Sequence, residues 1–363
     1  MRILVRTLIF LLVITVILVG GAAIWLHQSG PELPPGTDDT ISRVLADPLP
    51  PLVSGRTGIA HSSGVGIWYE SVDPAVPSKG AVLLVMGISN DALGWPQSFI
   101  DSLVDGGWQV IRYDHRDTGL SDWDATVGYS LADMADDAIA VLDALEVEQA
   151  HVVGVSMGGM IAQEIALAHP SRMASLALLM SSAHIKDREV APISSEVAIE
   201  LVKVALKYGL VGGERNMIKL HVASRVILRG EAGYPVDVQS TAEQVLYNLR
   251  ARRGYNRAAS GSHQEAVRRT GSLEDRLRQL KIPTLVVHGR ADPLIPIEHG
   301  EKLAQIIPGA HALWLDEMGH DLPDDLIDVI SNALTDHFNG TAQHQGLSEG
   351  ERKPQGNPDQ GET

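Results

Sequence analysis

The stretch His151-Val-Val-Gly-Val-Ser-Met-Gly-Gly-Met160 places a serine between an apolar run and a helical pattern. A strand, a sharp turn that carries a serine and then a helix form the local structure called a nucleophile elbow, which exposes the serine hydroxyl. Glycine is needed on both sides, because a side chain at Gly154 or Gly158 would collide across so tight a bend. The pattern also arises by chance and in inert strand-to-helix turns, so the rest of the chain must decide whether Ser156 is reactive.

Short apolar runs alternate with amphipathic stretches on both sides of this turn. The runs are rich in Val, Leu and Ile, which is typical of strands covered on both faces. Strands that alternate with helices predict βαβ units and a doubly wound, mostly parallel sheet, and residues 57–61 and 65–72 predict an antiparallel hairpin at one edge. The predicted strands of the parallel part are 81–86, 109–113, 150–155, 175–180, 284–288 and 312–315, and the predicted helices are 96–105, 131–145, 159–168, 297–306 and 323–338.

The N-terminal segment, residues 1–28, contains an uncharged apolar run at 7–26 that follows two arginines. About 20 apolar residues suffice for a transmembrane helix. Because the next basic residue is Arg43, the positive-inside rule predicts a cytoplasmic N-terminus and places the rest of the chain on the extracytoplasmic side. Cleavage as a signal peptide at the small residues 21–23 is the alternative, and the protein would then be secreted.

Composition divides the remainder into a spacer, a folded domain and a tail. Residues 29–55 are rich in Pro, Gly and Asp and predict an extended spacer. The folded α/β domain is predicted at 56–338, and the polar residues 339–363 predict a disordered tail.

The net charge of −16 argues against a nucleic-acid partner, and the absence of cysteine excludes disulfides, zinc–thiolate sites and a cysteine nucleophile. No metal site is expected, since no His-x-x-x-His pair lies on a predicted helical face. No dinucleotide fingerprint follows the first strand of the sheet, so no cofactor is expected. The expected partners are a small-molecule substrate and, through the N-terminal segment, a membrane; the oligomeric state is left open.

Between residues 182 and 281 the alternation of strands and helices stops, and the chain becomes mostly helix-forming. A helical block inserted after a central strand predicts a cap over the strand ends. The late part of this block is basic and predicts a solvated face, with a patch for an anionic substrate or a membrane as the alternative. Its basic residues are Arg250, Arg252, Arg253, Arg257, Arg268 and Arg269.

A reactive serine needs an imidazole to take its proton and a carboxylate to orient that imidazole. In a doubly wound sheet these groups come from loops at the carboxyl ends of strands. His320 follows the last predicted strand, beside Gly319, and Asp292 follows the strand 284–288 in a loop stiffened by prolines. The order Ser156, Asp292, His320 is the one this architecture requires. His115 at another strand end is the rival base, and a helix N-cap is the alternative role for Asp292.

Catalysis also requires donors for an oxyanion. The amide of Met157, directly after the serine, is one candidate. The loop after the strand 81–86 reads Met86-Gly-Ile-Ser-Asn90, and its glycine permits close backbone approach, so the amide of Ile88 is the second candidate.

From about residue 58 to 338 the chain resembles α/β-hydrolase-fold serine hydrolases. Three stretches resemble the esterase branch that includes aclacinomycin methylesterase-like proteins, namely Val85-Met-Gly-Ile-Ser with Gly94-Trp-Pro, Arg112-Tyr-Asp-His-Arg-Asp-Thr-Gly-Leu-Ser121 and Met318-Gly-His-Asp-Leu-Pro323. The resemblance implies Ser156 as nucleophile, Asp292 as acid, His320 as base and a helical cap over the pocket. It assigns a bracing role to the loop of Asp114, Arg116, Gly119 and Ser121, with a catalytic Arg116 as the alternative.

The sequence therefore predicts hydrolysis of a carboxylic ester, or a related acyl compound, through an acyl-serine intermediate. The same triad is compatible with a cofactor-free haloperoxidase, a carbon–carbon bond hydrolase, an amidase or a lipase. A non-catalytic, membrane-tethered binding module is the alternative from a different class.

Overall fold

The computed structural model of the chain describes residues 30–123, 128–230 and 233–350. It contains an eight-stranded sheet with the strand order β1-β2-β4-β3-β5-β6-β7-β8. The first two strands form an antiparallel hairpin, β2 also pairs antiparallel with β4, and all later neighbours are parallel. The predicted α/β fold with a mostly parallel sheet is confirmed. The strands are β1 (Arg56–Ser62), β2 (Val65–Val72), β3 (Ala81–Val85), β4 (Gln109–Tyr113), β5 (Ala150–Val155), β6 (Met173–Leu179), β7 (Thr284–Gly289) and β8 (His311–Leu315).

Helices cover both faces of this sheet. On one face lie α3 (Leu131–Ala144), α4 (Met157–Ala168) and α10 (Ile297–Ile306), and on the other lie α2 (Gln97–Asp105) and α11 (Asp324–Gly350). Alternate residues of a strand therefore enter different cores, and in β3 Leu83 packs on the first face and Leu84 on the second. This two-sided burial explains why the strand sequences are almost uninterrupted apolar runs.

The chain between β6 and β7 forms a helical cap. Its helices are α5 (Ser195–Gly209), α6 (Glu214–Leu228), α7 (Val238–Ala251), α8 (Ala259–Thr270) and the short α9 (Glu274–Leu277). Helices α6 and α7 pack around Ile218, Val222, Val245 and Leu246, which form a small core separate from the two faces of the sheet.

The predicted spacer contains a helix, α1 (Thr37–Ala46), that packs on this cap core. Its buried residues Ile41 and Val44 lie one turn apart and contact α6 and α7, and Asp38 forms ion pairs with Arg215 and Lys219 of α6. The expectation of a wholly extended spacer is wrong, because two apolar side chains at helical spacing provide a face that the cap buries.

Helix α11 continues to Gly350, so residues 339–350 are helical where the sequence predicted a disordered tail. No proline interrupts the chain between Asp324 and Gly350, and the next is Pro354. Across the part of the chain that the structure describes, no helix is long and apolar enough to cross a membrane. The predicted membrane segment at 7–26 lies outside the described residues, as do 351–363.

Candidate active site

Ser156 lies at the turn between β5 and α4, in a backbone conformation that few residues other than glycine adopt (φ 56°, ψ −122°). The flanking glycines make this turn possible. A Cβ atom at Gly154 would collide with the carbonyl of Gly158, and one at Gly158 would collide with the carbonyls of Val85 and Met86. The hydroxyl of Ser181 donates a hydrogen bond to the Ser156 carbonyl (2.7 Å) and so supports the turn from β6.

The structure brings Ser156, Asp292 and His320 together from three loops at the carboxyl edge of the sheet. Nε2 of His320 lies 3.0 Å from Oγ of Ser156, and Nδ1 lies 2.7 Å from Oδ2 of Asp292. The imidazole is thus placed to accept a proton from the serine while its other nitrogen donates to the carboxylate. His320 and Asp292 are buried, whereas Ser156 is half-buried.

Both oxygens of Asp292 are occupied. Oδ1 accepts hydrogen bonds from the amides of Leu294 (2.9 Å) and Ile295 (2.8 Å), which leaves Oδ2 to face His320. Burial raises the pKa of Asp292, but the charge of His320 and hydrogen bonds from His288 and His320 outweigh burial and hold this pKa below its usual range. Asp292 therefore remains a carboxylate at neutral pH. Helix α10 begins only at Ile297, so Asp292 is not its N-cap. The hydrogen bonds of Asp292 instead stabilise the turn that precedes this helix.

The cap holds the loop that carries His320. The backbone amide of His320 donates to the carbonyl of Leu228 at the end of α6 (2.8 Å), and a side chain at Gly319 would collide with Arg229. The neighbouring Asp321 is half-buried, and burial raises its pKa to about 6, although the charges of His320 and Arg225 lower it. The carboxyl next to the imidazole is therefore easier to protonate than an exposed aspartate.

The loop after β3 lies against the elbow, since a Cβ atom at Gly87 would lie 3.4 Å from Cβ of Ser156. The next residue, Ile88, packs against the hydrophobic core to which Met157 belongs. The cap residue His263 fixes the end of the loop: its Nδ1 accepts from the amide of Ser89 (3.1 Å), and its Nε2 donates to the carbonyl of Arg116 (3.0 Å). Sequence reasoning missed His263, because nothing in a helical cap sequence indicates which loop it meets.

The rival residues are engaged elsewhere. His115 donates from Nε2 to the carbonyl of Met86 (2.8 Å), and burial lowers its pKa to about 3, so it remains neutral. Arg116 forms two hydrogen bonds of 2.6 Å with Asp137, and thus braces α3 against the loop after β4. The hydroxyl of Ser121 accepts from the amide of Trp68 and donates to the carbonyl of Asp114, as expected for a bracing role.

The basic part of the cap is not uniformly solvated. The side chain of Arg252 is buried, forms ion pairs with Asp114 and Asp91, and lies over the ring of Trp68. Burial raises the pKa of Asp114 to about 7, although Arg252 lowers it. The prediction of a solvated face is wrong for Arg252, because the arginine compensates buried carboxylates of the loops below. Within the described ranges, no group of three or more His, Asp or Glu residues is arranged to hold a metal ion.

Comparison with known proteins agrees with this fold. A family model described as alpha/beta hydrolase fold matches residues 80–323. A rhodomycin D methylesterase of Streptomyces sp. (strain C5) is 31% identical over 287 residues, which cover 75% of this chain and 95% of the relative. A rhodomycin D methylesterase of Streptomyces peucetius is 31% identical over 298 residues, covering 77% of this chain and 97% of the relative.

Among solved structures, an esterase from Exiguobacterium antarcticum superposes with a TM-score of 0.63 at 23% identity. The alignment covers 79% of this chain and all of that one, and it shows that the two chains share a fold.

Proposed function

The chain belongs to the α/β-hydrolase fold family and to its esterase branch, and we propose that it cleaves a carboxylic ester through an acyl-serine intermediate on Ser156. The observation that carries this proposal is the hydrogen-bonded series from Ser156 through His320 to Asp292, with distances of 3.0 and 2.7 Å. A serine hydroxyl alone is a poor nucleophile at neutral pH, and this arrangement supplies both a base and a group that orients the base.

In the first half of the reaction, Oγ of Ser156 attacks the ester carbonyl while Nε2 of His320 takes its proton. The imidazolium that forms is stabilised by the Asp292 carboxylate, which does not itself become protonated. His320 then gives the proton to the leaving alkoxide, and the alcohol departs. In the second half, His320 takes a proton from a water that attacks the acyl-serine. It then returns this proton to Oγ of Ser156 as the acyl–oxygen bond breaks and the acid is released.

The negative charge on the carbonyl oxygen needs fixed donors, and we assign these to the backbone amides of Met157 and Ile88. Met157 is the first residue of α4, and the first backbone amides of a helix are free to donate hydrogen bonds to an anion. The contact of Gly87 with Ser156 supports the assignment of Ile88. Loss of one such donor typically costs ~10²–10³ in rate.

Labelling with a fluorophosphonate probe tests the proposal, because these probes react with activated serines. The full-length chain should be labelled and the Ser156→Ala variant should not. Ser78→Ala, which removes an exposed serine hydroxyl before the amino end of β3, is the matched control and should retain labelling. Equal labelling of the wild type and Ser156→Ala would refute the assignment. Methyl esters are the first substrates to test, given the similarity to two methylesterases.

We further propose that residues 7–26 anchor the protein in a membrane, with the catalytic domain on the extracytoplasmic side. The support is a run of about 20 uncharged residues, which is the length a transmembrane helix needs. Secretion after cleavage is the alternative. An anchored protein is found in the membrane fraction with the mass of the full chain, whereas a cleaved protein is smaller and is absent from that fraction.

A further inference from the structure

Exposed apolar side chains are concentrated at one place on the cap. Five of the eight large apolar side chains that are exposed in the described residues fall between positions 199 and 211. Their exposed fractions are high, at Ile199 54%, Val202 58%, Leu206 42%, Leu210 68% and Val211 75%. The first three lie on α5 at spacings of three and four residues, so they share one helical face, and the last two extend that face into the following turn.

The inner side of α5 lies beside the start of the described chain. Val204 is fully buried, and a Cβ atom at Gly30 would lie 3.4 Å from its Cγ2 atom. The apolar run 7–26 ends four residues before Gly30. Four residues of chain span no more than about 14 Å, so a bilayer that holds this run would come close to α5.

We propose that the exposed face of α5 rests in the lipid interface of the same bilayer that residues 7–26 enter. This inference rests on the membrane attachment proposed above. A helix lying in the interface typically buries its apolar face about 5–10 Å into the boundary between headgroups and acyl chains.

The charges on α5 indicate an apolar contact rather than attraction to anionic lipid. The helix carries Glu196, Glu200, Lys203 and Lys207, so its formal charge is balanced. The whole chain has a net charge of −16 and is repelled by an anionic surface. A zwitterionic phosphatidylcholine bilayer is therefore a sufficient partner.

This contact would hold the active-site loops near the membrane. At the start of α5, the amide of Ser194 donates to the carbonyl of Leu294 (3.0 Å), two residues after Asp292. At the end of α6, the carbonyl of Leu228 accepts from the amide of His320 (2.8 Å). The α5–α6 hairpin thus connects the lipid interface with the loops of Asp292 and His320. This position favours esters dissolved in the bilayer as substrates.

Site-specific fluorescence in the full chain tests the proposal. Because the chain contains no cysteine, single variants such as Val202→Cys can be labelled with an environment-sensitive dye. Val76→Cys and Val329→Cys are matched controls, since these valines are 59% and 45% exposed and lie outside the cap. The labelled chains are reconstituted in phosphatidylcholine nanodiscs with and without spin-labelled acyl chains. The dye at position 202 should be quenched severalfold more than the dyes at 76 and 329.

Equal quenching at positions 202, 76 and 329 would overturn the proposal. A dye at 202 that is shielded from aqueous iodide, yet not quenched by the lipid, would show that a second copy or another protein covers the face, and this also overturns it. Flotation of the wild-type chain with phosphatidylcholine vesicles separates the two membrane proposals. A chain that does not float refutes the anchor, whereas one that floats without quenching at 202 refutes only the contact of α5.

Discussion

Replacement of Asp292 by asparagine should lower kcat by about 10⁴, because it forces the wrong tautomer on His320. Oδ1 of Asp292 accepts two backbone amides, from Leu294 and Ile295. An asparagine keeps those bonds only if its carbonyl oxygen takes the place of Oδ1. Its NH₂ group then faces Nδ1 of His320 across the 2.7 Å contact that the carboxylate now makes.

Two donors cannot face each other, so Nδ1 must give up its proton and Nε2 must carry one. Nε2 can then no longer accept the proton of Ser156, which lies 3.0 Å away. At about 1.4 kcal/mol per tenfold change in rate, a 10⁴-fold loss corresponds to about 5 kcal/mol of transition-state stabilisation. The substitution preserves the shape of the side chain, so the fold should be retained.

The assay is the kcat for a short p-nitrophenyl ester at pH 8, together with far-ultraviolet circular dichroism to check the fold. Asp316→Asn is the matched control, because this nearby carboxylate is 87% exposed and forms an ion pair with Arg290 instead. The control should keep wild-type activity. A folded Asp292→Asn enzyme with kcat within about tenfold of the wild type would refute the tautomer argument.

The elbow and the cap carry two further predictions. Gly158→Ala should lower Tm by at least about 4 °C, because the added Cβ atom collides with two backbone carbonyls. Gly261→Ala is the control, since Gly261 lies in an exposed part of α8 with open space around it. This control should leave the free energy of unfolding unchanged or raise it by about 0.4–1 kcal/mol. Equal Tm values for the two variants would contradict the steric account. Arg252→Met should cost about 3–5 kcal/mol of unfolding free energy at pH 8, since it leaves two buried carboxylates uncompensated. The pKa of Asp114 is raised to about 7 in the folded state, above its unfolded value, so the folded protein loses stability as the pH rises from the unfolded pKa through the folded one. Toward pH 5 Asp114 is protonated and needs no arginine. The destabilisation by Arg252→Met, measured by urea unfolding, should therefore shrink toward pH 5. A cost independent of pH would exclude this electrostatic origin.

The residues that could be predicted from the sequence share one property: a local signal marks them. Ser156 lies between two glycines after an apolar strand, Asp292 precedes a proline after another strand, and His320 follows a glycine after the last. A strand end and a turn residue suffice to place a side chain at the carboxyl edge of a parallel sheet. The architecture was predictable for the same reason, since strands buried on both faces carry a strong apolar signal.

The residues that could not be predicted depend on contacts between distant parts of the chain. His263 meets Ser89 across 174 positions, and Arg252 meets Asp114 across 138. A histidine or arginine in the cap looks solvated until the docking of the cap is known. Helix α1 was missed because its proline-rich surroundings outweighed the signal from Ile41 and Val44.

These distant contacts have a common consequence, because each joins the cap to a loop of the active site. Leu228 holds the His320 loop, His263 holds the loop of Ile88, and Arg252 holds the loop that begins at Asp114. A substrate that enters by displacing the cap must break some of these contacts, and the loops regain their positions only when the cap closes again. The cap therefore bears on the positions of His320 and of Ile88, the residues proposed as base and as oxyanion donor. We therefore expect substitutions at these cap residues to change turnover as well as substrate selectivity.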